Sequence, residues 1–168
     1  AEGRKKIRWI EPSVRKSIMT YFYALHIFAI SCTSVAKALF PRIDKERLAF
    51  LRKELLAAKE SGYTEAVCGI CFSILLENSN LSAICEIYLR LQDLLLWGYP
   101  LIFIEPRLQV DDYVDMLVEG IDNRDERLFA GGLEQIVRAI FVSSRTKIIS
   151  VGIDAAKNVE LPVLPPVS

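Results

Sequence analysis

The chain is 168 residues long, the size of one domain, which removes about 70% of the unfolded chain's surface from water on folding. Its 21 basic and 21 acidic side chains cancel, which excludes a general electrostatic attraction to nucleic acid. Hydrophobic residues make up 52% and mean hydropathy is +0.27, so a thick core, a hidden interface or a membrane segment has to cover them.

Residues 1–16 carry Arg4, Lys5, Lys6, Arg8, Arg15 and Lys16 against Glu2 and Glu11 and read as a basic linker or N-terminal extension. No signal peptide pattern opens the chain. A first helix is expected from Pro12, allowed in a first turn, to the stop at Pro41. Within it, residues 18–36, IMTYFYALHIFAISCTSVA, bear no formal charge and are about long enough to span a bilayer. Thr20, His26, Ser31, Thr33 and Ser34 make that a weak span, whereas Ile18, Phe22, Leu25, Ala29, Cys32, Ala36 and Leu39 recur at helical spacing. The expectation is a central core helix and no membrane partner.

A second helix follows from about Asp44, a suitable N-cap, with Leu48, Leu51, Leu55 and Ala58 as its buried stripe and Gly62 as its left-handed stop. Arg47, Arg52, Lys53 and Glu54 are expected to face water. A third helix covers about residues 64–77, and Ser82 caps a fourth that runs to Trp97 and Gly98. LLLWGYPLIFIEP breaks at Gly98 and Pro100 into two short apolar pieces. A helix from about Val110 to Ile121 comes next, in an acidic stretch read as solvated surface.

In the following NRDE, Asn123 and Glu126 have capping-box spacing, and Asp125 suits the positive end of a helix. The last helix would bury Leu128 or Phe129, then Leu133, Ile136, Ile140 and Phe141. Gly131 and Gly132 within it cost about 1 kcal/mol each in helix propensity, so close packing by a neighbouring helix or a second subunit is expected there. The remainder, residues 143–168, reads as a proline-bearing tail with one short strand at KIISVGI.

Cys68 and Cys71 form a CxxC, and Cys32 and Cys85 lie in apolar helical patterns. A zinc site needs a second pair of ligands, and a thioredoxin-type site needs a preceding strand; neither is visible. Four half-buried thiols in a reducing cytoplasm is the reading, and the expected localisation is cytoplasmic. No phosphate loop, nucleophile elbow or HExxH pair occurs, so no enzyme and no cofactor are expected.

The order of elements, an all-α antiparallel bundle of about six or seven helices, carries a resemblance over residues 20–142. YALHIFAISCTSVAKAL resembles the first long helix of the effector-binding domain called FCD, found in GntR-family bacterial transcription regulators. IDKERLAFLRKELLAAKESGYTEAV resembles that domain's next segment, ICFSILLENSNLSAICEIYLRL its central helix and small-residue turn, and LVEGIDNRDERLFAGGLEQIV its closing pair. The resemblance implies that residues 17–142 form an effector-binding and dimerisation domain.

That family commonly binds a divalent metal through an Asp and three His. Matching its turn to Asn80 places the Asp position on Val67 and the first His position on Cys71, and matching its later Asp to Asp125 places the other two near Val114 and Ile136. One thiol makes no site for such an ion, and the chain's only histidine, His26, lies on another helix, so no metal is expected. A cavity between the helices would then be apolar and suit an apolar or acyl-type effector. Tyr23, His26, Cys71, Trp97 and Tyr99 are candidate liners beside Val67, Val114 and Ile136. The implied partners are a second copy of the chain, as a homodimer, and DNA only through a winged-helix domain that residues 1–16 cannot supply. The competing reading is a structural all-helical interaction module with a solid core and no ligand.

Overall fold

The computed structural model describes residues 12–62, 66–77, 79, 82–95, 98, 101, 104–152 and 156–159. Among these the protein is all-α. It contains six helices: α1 (Pro12–Leu39), α2 (Lys45–Ser61), α3 (Val67–Glu77), α4 (Ser82–Leu95), α5 (Asp111–Asn123) and α6 (Glu126–Ser150), with a 3-10 turn at Phe40–Arg42. The basic opening up to residue 11, Asn80 and the chain beyond residue 159 lie outside the described residues.

Apolar spacing decides which face of each helix turns inward. In α1 Ile18, Phe22, Leu25, Ala29, Cys32, Ala36 and Leu39 are all buried, one stripe at helical period from Ile18 to Leu39. α1 is the one described helix long and apolar enough to cross a membrane, and 44% of its apolar window packs inside the bundle. α2 buries Leu48, Leu51, Leu55 and Ala58, begins where the Asp44 carboxylate accepts from the Arg47 amide, and stops at Gly62 with φ 73°. Both ends thus use the sequence's own capping chemistry.

The charged residues of α2 do not simply face water. Arg52 pairs with Asp122 at 2.8 Å and Lys59 with Asp115 at 2.6 Å, so the acidic stretch of α5 lies against the basic side of α2. Arg47 pairs with Glu77 at the end of α3. Such solvent-screened pairs add little stability but favour this helix arrangement over others.

The most extensive pairings are α5 with α6 and α1 with α6. Two glycines permit the first. A Cβ on Gly120 would stand 2.8 Å from the Phe129 amide nitrogen, and one on Gly132 would stand 2.9 Å from Leu117 Cδ2 and 3.1 Å from the Tyr113 carbonyl. The expected close packing on the glycine pair therefore holds for Gly132, with α5 as the neighbour. It does not hold for Gly131, where the nearest atom is Met116 Cε at 3.7 Å.

The turn between α5 and α6 corrects one expectation. Asp125, not Asn123, is the N-cap of α6, its side chain accepting from the Arg127 and Leu128 amides at 2.9 and 3.1 Å. Asn123 is spent as the last residue of α5, and Arg124 takes the left-handed C-cap conformation at φ 56°. That conformation is uncommon for a side chain of this size; the Arg124 guanidinium donates to the Ile43 carbonyl at 3.0 Å, which holds it there.

A second correction concerns the C-terminal part. α6 runs to Ser150, so Lys147–Ser150 are helical and not a strand. Phe141, Ser144 and Ile148 continue its buried face at steps of three and four, a helical period that outweighs the β-branched residues around them. Ala156 and Val159 are buried with Ile18, Tyr21, Phe22 and Phe141 in a second core beside the main one. Arg145 ties them down by donating to the Ala156 carbonyl at 3.1 Å.

Candidate functional site

α1, α3, α4 and α6 do not close completely on one another. Between them lies a cavity of about 190 Å³ that opens to solvent, larger than the roughly 150 Å³ apolar cavity that can admit a benzene ring. α1 contributes Tyr21, Leu25 and Phe28, and α6 contributes Val137, Ile140, Ser144 and Lys147. Cys68 and Gly69 come from α3, Tyr88 and Gln92 from α4, and Gly98 and Leu101 from the connection that follows.

Aromatic packing shapes one wall. Phe72 of α3 and Tyr88 of α4 stack with centroids 4.9 Å apart, and Phe28 of α1 lies 4.7 Å from Phe72 and 6.0 Å from Tyr88. Phe28, Phe72 and Tyr88 also line a second groove of about 130 Å³ between α1, α3 and α4. The three rings therefore separate the cavity from that groove.

A hydroxyl pair and a lysine stand where α1 meets α6. The Tyr21 hydroxyl and the Ser144 hydroxyl are 2.7 Å apart, and Lys147, one turn beyond Ser144, donates from Nζ to the Leu101 carbonyl at 2.9 Å. Lys147 is only 4% exposed. Burial lowers the pKa of its ammonium; Glu105 opposes this and Arg107 adds to it more weakly. Burial raises the Tyr21 phenol, with Ser144 partly offsetting the rise. The Gly98 backbone lies so close to the Tyr21 ring that a Cβ there would stand 2.3 Å from it.

The positions singled out in the sequence lie elsewhere. Tyr23 is 59% exposed on the outer side of α1. His26 is half-buried, its ring 5.4 Å from that of Phe141. Val67, Cys71, Val114 and Ile136 are each fully buried in the main core, and Trp97 and Tyr99 fall outside the described residues. None of the six described positions is on the cavity wall. Helical geometry explains this: Tyr23 is two residues past Tyr21 and so points about 200° away, and Cys71 is one turn past the wall residue Cys68, deeper along α3.

Sequence reasoning misses Lys147 and Ser144 because local composition makes their segment a tail with a strand. The signal for them was present in the continued 3–4 spacing of Phe141, Ser144 and Ile148. Among the described residues no three His, Cys, Asp or Glu side chains stand close enough to hold a metal ion. Cys32, Cys68 and Cys71 are buried free thiols and Cys85 is partly exposed. Burial pushes the Cys32 thiol up to about 11 and the Cys68 and Cys71 thiols well above their ordinary range. These thiols are inert as nucleophiles near neutral pH.

Comparison with protein-family models, with curated proteins and with solved structures gives no match for this chain.

Proposed function

We propose that this chain is a ligand-sensing and dimerisation domain of a bacterial transcription regulator, similar to the FCD domain of the GntR family. The observation that carries the reading is the largely apolar cavity between α1, α3, α4 and α6, with its hydroxyl pair and single lysine on one wall. A few convergent polar groups in an apolar cavity are what a small organic effector needs for orientation. The positions where the resemblance puts metal ligands are Val67, Cys71, Val114 and Ile136, all inside one core, which supports a metal-free member with an apolar or acyl-type effector.

Sensing works by population shift. α1 and α6 are the two longest helices, they pack on each other and they both border the cavity. A ligand that binds one packing of α1 on α6 better than another biases the equilibrium by that difference in affinity. DNA is contacted through a winged-helix domain that is not among these residues. Tyr23, Ile27 and Ile30, 59%, 50% and 57% exposed, form an apolar stripe at helical spacing on the outer side of α1, which supports a homodimer with α1 in its interface.

The alternative reading is a structural helical interaction module. It is favoured by the dense packing around Phe40, Phe129, Leu117 and Ile136, where nothing is left open. Native mass spectrometry of the purified chain separates the two. A dimer that carries a small organic adduct, released on mild activation, is the expected result; a bare monomer that takes up no added apolar compound rules out the sensing domain in favour of the module.

A further inference from the structure

Lys147 is a cation placed where a purely structural cavity has no use for one. Its side chain is buried on α6 and borders the cavity, and its hydrogen-bond acceptor is one neutral backbone carbonyl, that of Leu101. Among the described residues no carboxylate stands within ion-pair distance of it. Glu105 acts on the ammonium only from beyond ion-pair distance, and a buried ammonium that pairs directly with no carboxylate is costly, which leaves it ready to receive a partner charge.

The surroundings limit what that partner can be. Ser144 lies one turn earlier on the same face of α6, hydrogen-bonded to Tyr21, so a hydroxyl and an ammonium lie side by side. Leu25, Phe28, Val137 and Ile140 make the rest of the wall apolar. From this arrangement we infer that the cavity takes an alkyl monocarboxylate, its chain among the apolar residues and its carboxylate paired with Lys147 beside the Ser144 hydroxyl. A head group of single charge with two oxygens matches one ammonium and one hydroxyl. The volume suits a chain of about six to eight carbons, judged against the cavity size that admits benzene. The inference rests on the ligand-binding reading of the cavity proposed above.

The head group is the discriminating variable. A hydrated carboxylate loses far more on entering an apolar cavity than an alcohol of equal length does, so without a counter-ion the alcohol binds better. Calorimetric titration of the whole chain with octanoate, octanol and octylammonium reads this directly. Octanoate is expected to bind at least tenfold tighter than octanol, and octylammonium weakest of the three. In Lys147→Met, octanoate should weaken by tenfold or more while octanol changes less than twofold; equal loss for both would mean that Lys147 only props the cavity open, which overturns the inference. Should that variant lose its helical circular dichroism, the ranking of the three head groups on the native chain decides alone. Octanol binding as well as octanoate sinks the inference and leaves the ligand-binding reading standing, whereas binding of none of the three removes both.

Discussion

The Tyr21 hydroxyl meets the Ser144 hydroxyl at 2.7 Å, a buried hydrogen bond between helices that are 123 residues apart in sequence. Replacing Tyr21 by Phe keeps the ring against which the Gly98 backbone packs and removes the hydroxyl that makes that bond. Ser144 is 5% exposed, so water cannot fully replace the lost partner. The expected cost is about 1.5 kcal/mol, for a buried hydroxyl left short of a partner, read as a lower urea midpoint at unchanged slope. No loss of stability would show that the α1–α6 contact is held by packing alone.

The glycines of the α5–α6 contact should respond with opposite signs. Gly120→Ala drives a methyl into the Phe129 backbone, which cannot swing aside as a side chain could, and should destabilise by about 2–3 kcal/mol. Gly131→Ala meets only ordinary contact with Met116 and should stabilise by about 0.5–1 kcal/mol through helix propensity. Thermal melts of the two variants beside the native protein test the pair. Destabilisation by both would mean that a second surface also approaches Gly131.

Alkaline pH should unfold the protein through its buried thiols. Burial raises the thiol pKa values of Cys32, Cys68 and Cys71 in the native protein above the 9.0 of a free thiol. Above pH 9.0 the unfolded chain therefore releases thiol protons that the native chain keeps. Native stability falls as pH rises from there toward about 11, the Cys32 value, by about 1.4 kcal/mol per pH unit for each net proton. Lys147, lowered from 10.5, acts in the opposite sense, since below that value the unfolded chain holds the proton more firmly. Three thiols outweigh one amine, so urea midpoints should drop between pH 9 and 10.5, and Cys32→Ala should flatten part of the drop.

The same thiols should be silent to reagents in the native state. Cys85, partly exposed and 3.3 Å from the Ser79 hydroxyl, is the one expected to react promptly with an aromatic disulfide at pH 8. Cys32, Cys68 and Cys71 should react only at the rate of opening of the fold. One fast equivalent in the native protein and none in Cys85→Ser is the expected count. A second fast equivalent would place Cys68 within reach of the reagent through the cavity mouth.

How much of this was legible in the sequence depended on what each signal reports. The apolar stripes of α1 and α2 were readable to the residue, because spacing alone fixes which side chains share a helix face. The end of α6 was not, because Ile148, Ile149, Val151 and Ile153 suggest a strand locally, while the buried face of the helix that arrives there decides otherwise. The cavity was legible only as a possibility. Its wall depends on how four helices are rotated about their axes, and sequence periodicity gives a face to within a residue or two. That error separates Tyr23 from Tyr21 and Cys71 from Cys68. The salt bridges of Arg52 and Lys59 with α5 were equally out of reach, since charge spacing along one helix says nothing about which other helix lies opposite.

The pairing of α1 with α6 also bears on how the molecule is made. Residues that meet in the folded state are 123 positions apart, which at about 5–20 residues per second is roughly 6–25 s of synthesis. Throughout that interval α1, whose hydropathy would qualify it for a bilayer, is on the ribosome without its principal covering helix. The nascent chain thus passes through a window in which the apolar face of α1 is uncovered, and translation speed over residues 40–147 sets how long chaperones can compete for it.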